Sequence, residues 1–153
     1  MLSGEDYFAG FPKFTDDYER LVYFAHPKQF LSHTTSYELK EVDFSNAKKN
    51  KVLVETFDEP NEEFSGLYGY HFMFEDAKFI KGTHTFVLNS INQGEEILLT
   101  VDTANEGKVT VLNNGYKYSS LLAEKDGHFF VLCSSLCCCF FLYNFLFYCL
   151  FFY

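Results

Sequence analysis

Short apolar segments separated by turn signals every eight to twelve residues or so constrain this chain most, because that rhythm suits strands and leaves little room for helices. From Thr35 the apolar period is two. Tyr37 and Leu39 share one face, while Val42 and Phe44 fall on the opposite phase, which predicts a bulge or slip near Lys40-Glu41. A polar turn at Asn46 to Asn50 precedes a β-branched strand, Lys51 to Phe57. Leu67 to Phe74 alternates cleanly, with Tyr68, Tyr70, Phe72 and Phe74 on one face and Leu67, Gly69, His71 and Met73 on the other. Lys81-Gly82 turns Phe79-Ile80 into Thr83 to Leu88, and Asn92-Gln93-Gly94 turns that segment into Glu96 to Val101. Asn105-Glu106-Gly107 leads to Lys108 to Leu112, and Asn113-Asn114-Gly115 predicts a hairpin with Tyr116 to Leu121, since Asn-Gly tolerates positive φ. Together these segments predict a mainly β fold, an antiparallel β-sandwich of about eight short strands. Before it, Asp16 to Phe24 is expected as a short helix, with Thr15 or Asp16 as its cap, Glu19 completing a capping box and His26-Pro27 ending it.

Composition changes abruptly near Gly127. Phe129 to Tyr153 reads FFVLCSSLCCCFFLYNFLFYCLFFY, with no charged residue, Gly, Pro, Ala or Ile, and it holds all five cysteines. The expected organisation is therefore an N-terminal segment at 1–34, a β-sandwich domain at 35–127 and an apolar tail at 128–153, as a helix or without structure. Three readings of the tail compete. As a transmembrane tail anchor it has enough length, since a bilayer core needs roughly 20 apolar residues. Its fourteen Phe, Leu and Val residues would contribute roughly −4 to −8 kcal/mol on an insertion scale. As read-through sequence, its Phe, Leu, Ser, Cys and Tyr codons are those rich in pyrimidines, and only Val131 and Asn144 demand a codon opening with another base. As a core element it would need burial on every face, which is hard for a small domain to supply. The adjacent Cys137-Cys138-Cys139 lack zinc spacing, and an odd count in one apolar run argues against a disulfide framework. Palmitoylation is one use for them, and soft apolar packing is the simpler one.

The remaining 128 residues carry every charge, for a formal net charge of −9. That balance disfavours nucleic acid and anionic membrane surfaces as partners. The N-terminus lacks the apolar core of a secretory signal, and no Asn-x-Ser/Thr sequon occurs. A cysteine-free domain agrees with these signs, and the expected location is the cytoplasm or the cytosolic face of a membrane, without secretion.

Candidate chemistry is sparse. No G-x-S-x-G element, Gly-rich phosphate loop or Cys/His nucleophile arrangement is present. His71 and His84 on neighbouring expected strands, with Asp76 or Glu75 between them, form a candidate His/His/carboxylate metal site. Asp58, Asn61 and Glu63 in the acidic loop supply hard oxygen ligands for Ca2+, with Asp102, Asn105 and Glu106 as a second acidic turn. For both sets, ordinary solvated side chains are the simpler account. The face Tyr68, Tyr70, Phe72 and Phe74 offers a partner or ligand platform, with core packing as the simpler alternative.

The stretch Val52-Leu-Val-Glu-Thr-Phe-Asp-Glu-Pro-Asn-Glu-Glu63 resembles the closing strand and acidic turn of the C2-like β-sandwich module of calpain-type proteins. It spans those residues only, and no calpain catalytic Cys/His/Asn region accompanies it. The resemblance implies a compatible fold and a non-catalytic module. The sequence thus predicts a non-enzymatic interaction module with a protein partner, tethered to a membrane through Phe129–Tyr153 where that segment is genuine. The alternatives are a metal- or ligand-binding barrel, catalytic or not, using His71 and His84, and a fragment of a larger β protein.

Overall fold

A computed structural model describes residues 8–26, 36–46, 49–56, 64–69, 71–112, 118–125, 128–134 and 148–150. Over these residues the chain is mainly β, in antiparallel sheets. The first sheet is a meander of four strands in chain order: β1 (Phe8–Phe14), β2 (Arg20–His26), β3 (Glu38–Asp43) and β4 (Lys49–Val54). A one-turn helix, α1 (His71–Glu75), then leads to the second sheet. Its strands are β5 (Lys78–Phe79), β6 (Thr85–Asn92), β7 (Glu95–Asp102), β8 (Lys108–Val111), β9 (Tyr118–Lys125), β10 (His128–Ser134) and β11 (Tyr148–Leu150). The spatial order is β11-β10-β9-β7-β6-β5, with β8 also paired to β7. Eleven strands thus occur among the described residues, against about eight expected.

Both sheets give apolar side chains to one buried cluster. Val22, Phe24, Leu39, Leu53 and Val54 enter it from the first sheet, and Phe86, Leu88, Ile97, Leu99 and Val101 from the second. Phe74 of α1 sits at its centre, stacked on Phe24 at 4.1 Å and 20° and edge-on to Tyr37 at 4.9 Å. Phe11 reaches the same cluster because β1 carries a register shift between Gly10 and Lys13, where Phe11 takes φ 55°. The opposite face of the first sheet carries a smaller cluster of Leu21, Tyr23, Ala25 and Val42, with Phe44 against it. Tyr37 and Leu39 on one face and Val42 and Phe44 on the other match the sequence reading, but β3 runs unbroken against β2, and the irregularity beside Leu39-Lys40 has its extra residue, Leu53, on β4.

The turns of the second sheet also follow the sequence. Gln93 (φ 50°) and Gly94 (φ 81°) close a two-residue hairpin between β6 and β7. In the β7–β8 turn, Gly107 takes φ 79° with its backbone against Leu53 of the first sheet. A Cβ there would overlap the Leu53 carbonyl, so only glycine lets the turn approach so closely.

Four expectations are corrected. Asp16 to Phe24 is a turn followed by strand β2, and no helix forms there. Thr15 and Asp17 cap the reversal: the Asp17 carboxylate accepts from the Thr15 hydroxyl (2.6 Å) and the Glu19 N–H (2.9 Å). Capping chemistry is common to helix starts and tight turns, and Leu21 to Ala25 fill two faces as a strand does. Leu67 to Phe74 is not a strand either. Leu67 makes one isolated bridge to Tyr37, and Tyr68 hangs from Ser90 through its N–H (3.0 Å). The one-turn helix then carries Phe74 into the core, with Met73 also buried. Next, the Asn113-Asn114-Gly115 turn lies outside the described residues, and among the described residues β8 is not paired with β9. β8 is held by β7 (Asp102↔Lys108), while β9 meets β7 in parallel at Glu96↔Tyr118 and runs antiparallel to β10.

Last, where the apolar tail is described it is strand and not helix. Phe129 to Ser134 lie in β10, with Val131 buried against Val87, Leu98 and Leu121, and β11 pairs with β10. Residues 135–147 lie outside the described residues. Among the described residues, no helix is long and apolar enough to cross a membrane.

Burial of Phe74 predicts its substitution cost. Phe74→Ala should lower the unfolding free energy by about 3–5 kcal/mol in urea titration, and Phe74→Leu by less than about 1.5 kcal/mol. Equal small losses in both variants would contradict the central position of this ring.

Candidate functional site

The candidate metal ligands are not assembled as expected. His71 opens α1, so the strand pairing that would have set it beside His84 does not form. His84 and Asp76 are exposed on separate turns. Among the described residues, no group of three or more His, Cys, Asp or Glu is placed to hold a metal ion. Asp58, Asn61 and Glu63 lie outside the described residues. The second acidic turn uses its groups internally: Asp102 Oδ1 accepts from the Ala104 N–H (3.1 Å), and the Asp102 carbonyl accepts from Gly107 (3.0 Å).

The expected aromatic platform is dispersed. Phe74 is fully buried, so it belongs to the core and to no partner surface. Tyr68 is half-buried, Tyr70 lies outside the described residues, and of Phe72 the helical backbone alone is described.

A different aromatic surface is present at the tip of the β1–β2 hairpin. Phe14 pairs across the ladder with Leu21 and so shares the face of the smaller cluster, away from the main core. It is 48% exposed. Tyr18, 74% exposed, occupies the turn itself at φ 60°, held there by its N–H donating to the Thr15 carbonyl at 2.9 Å. Phe44 follows β3 and is tied to the hairpin by its own N–H, which donates to Glu19 O at 2.9 Å. The three rings are contiguous: Phe14 lies 5.8 Å from Tyr18 and 6.1 Å from Phe44, the latter pair stacked. Sequence reading missed this group because Phe14, Tyr18 and Phe44 share no period. The one available signal was the turn chemistry of Thr15 and Asp17.

Asp17 and Glu19 flank Tyr18 in the chain, and Asp43 pairs with Arg20 on the core face of β3, opposite Phe44. Hydrogen bonds from Thr15 and Glu19 hold the Asp17 carboxyl below the usual range, and those from Ser45 do the same for Asp43. Asp16 turns to the second sheet, its Oδ2 accepting from the Gly82 N–H at 2.8 Å. The nearby cations are engaged on the inner side. Lys13, paired with the core residue Val22, donates to the Glu75 carbonyl at 2.6 Å, and Arg20 lies 3.8 Å from Glu41.

Glu41 is the polar anomaly of the first sheet. It pairs with Val22 on one side and Lys51 on the other, which places its side chain on the core face. The residue is 6% exposed, and its Oε2 accepts no hydrogen bond. Burial raises its pKa above the ordinary carboxylate range, against the lowering effect of Arg20 and Lys51.

No family model, no curated protein and no solved structure matches this chain.

The raised pKa of Glu41 gives stability a definite pH dependence. Its folded state favours the protonated acid, so its stabilising contribution is full below the unfolded carboxylate pKa and is lost as pH rises through the folded one. Gln stands in for the protonated acid. Glu41→Gln should therefore melt above the parent protein at pH 7, with the difference closing as pH falls through the carboxylate range. A Glu41→Gln protein less stable than its parent at neutral pH would show that the Arg20 ion pair outweighs desolvation.

Proposed function

We propose that this chain is a non-enzymatic interaction module built on a β-sandwich. The sandwich reading is supported by the shared core, which takes one face of each sheet. The interaction reading rests on a single observation, the contiguous exposed rings of Phe14 and Tyr18 backed by Phe44. Exposed aromatic side chains held by a rigid turn are the kind of anchor that protein interfaces use, because they offer large contact area with little rotamer entropy to lose.

Membrane attachment through Phe129–Tyr153 is a separable proposal, and one feature weighs against it. β10 and β11 are antiparallel neighbours, so the two described ends of the tail lie side by side. The 13 residues between them (135 to 147) would span only about 20 Å as a helix, short of a bilayer core about 30 Å thick.

Photo-crosslinking tests the interaction reading. Benzoylphenylalanine placed at Tyr18 of the full chain should give a discrete protein adduct in the cells that make it. The same group at Val52, an exposed apolar position on β4, should not. Identical adduct patterns at both positions, or none at either, would sink the reading.

A further inference from the structure

The hairpin-tip surface combines features that select one class of partner. Its rings offer π faces to solvent, with Phe14 48% and Tyr18 74% exposed. Asp17 and Glu19, both exposed, flank Tyr18 in the chain. Asp17 receives its hydrogen bonds at Oδ1, from Thr15 and Glu19, so one oxygen fixes the turn, and among the described residues no hydrogen bond occupies its Oδ2. Of the nearby cations, Lys13 is spent on the Glu75 carbonyl, and Arg20 lies on the core face beside buried Glu41 and opposite Asp43. The chain as a whole carries −9, which steers cations toward it.

We infer that this surface docks an arginine-bearing peptide segment of a partner protein, guanidinium planes stacking on Tyr18 and Phe14 while Asp17 and Glu19 take their N–H donors. The inference rests on the interaction reading above and adds the chemistry of the partner. Arginine fits better than lysine because its planar fork stacks on an aromatic face and pairs with a carboxylate at the same time. The turn prepares the geometry before binding, since Tyr18 is fixed in its left-handed conformation by Thr15. Little ordering entropy then opposes association.

The test uses the full chain and a fluorescent peptide of alternating Arg and Gly, read by anisotropy at two salt concentrations. Tyr18→Ala should weaken binding roughly two- to fivefold, the range of one exposed cation–π contact. Tyr18→Phe should restore it. Asp17→Asn with Glu19→Gln should weaken it further, and Asn keeps the Oδ1 acceptor that the turn needs. Glu55→Gln with Glu106→Gln removes the same charge from exposed positions outside the surface and should leave affinity near that of the parent. A Lys-Gly peptide should bind more weakly than the Arg-Gly one. Equal weakening by the two double variants would mean general attraction to an acidic protein and would overturn the inference, as would a Tyr18→Ala protein that binds unchanged. Melting curves of each variant separate lost binding from lost folding. A discrete Tyr18 crosslink without binding of the Arg-Gly peptide would leave the interaction reading standing and remove only the partner chemistry.

Discussion

Phe74 stacked on Phe24 is the contact on which the architecture turns. Phe24 belongs to the second strand of the first sheet, and Phe86, on the strand that begins the long hairpin of the second, lies 6.3 Å from it. The one-turn helix inserts Phe74 into this meeting point, with Tyr37 and Phe11 closing around the ring. Without tryptophan, the chain fills its widest core space with several medium rings in tilted and edge-on pairs, which aromatic quadrupoles prefer. The helix exists because of this packing. Five residues cannot sustain helical structure through propensity alone.

Local turn chemistry was readable, and long-range pairing was not. Gln93-Gly94 and Glu106-Gly107 announced their reversals because positive φ has a short list of compatible residues. The split of Tyr37 and Leu39 from Val42 and Phe44 was legible because side-chain period maps directly onto sheet faces. Leu67 to Phe74 misled for the same reason. Its alternation is genuine, yet the segment is bound by Ser90 and a lone bridge, and the packing of Phe74 from a helical turn overrode the period. The Asn-Gly reversal before β9 predicted a neighbour, while the sheet supplied a better one in β10. Of the candidate site, the sequence exposed the capping residues but not the rings they assemble, because Phe44 joins Phe14 and Tyr18 only through a backbone bond to Glu19.

Polar groups in this fold divide by the work their partners do. Asn89 is 3% exposed, and its amide is fully used: Nδ2 donates to Glu96 at 3.0 Å and to the Ser119 carbonyl, while Oδ1 accepts from the Leu121 N–H at 3.1 Å. It costs little to bury because both N–H donors and the carbonyl oxygen have protein partners. Glu41 is the opposite case: burial raises its pKa, and its Oε2 accepts no hydrogen bond, with Arg20 3.8 Å away. One residue joins elements together, and the other loads the sheet with a pH-dependent penalty.

The side-chain bonds of Asn89 matter because the backbone supplies so little at that place. Among the described residues, β7 and β9 share a single parallel residue pair, with the Asn89 amide and the small cluster of Val87, Leu98, Leu121 and Val131 joining the strands beside it. On one side stands the β6–β7 hairpin with eight paired positions; on the other, β9 and β10 with seven. Two well-laddered halves joined by a narrow seam need not open together. Hydrogen exchange in β9 to β11 can then proceed by detachment along this seam while the aromatic core stays closed, giving the molecule two cooperative units within one sheet.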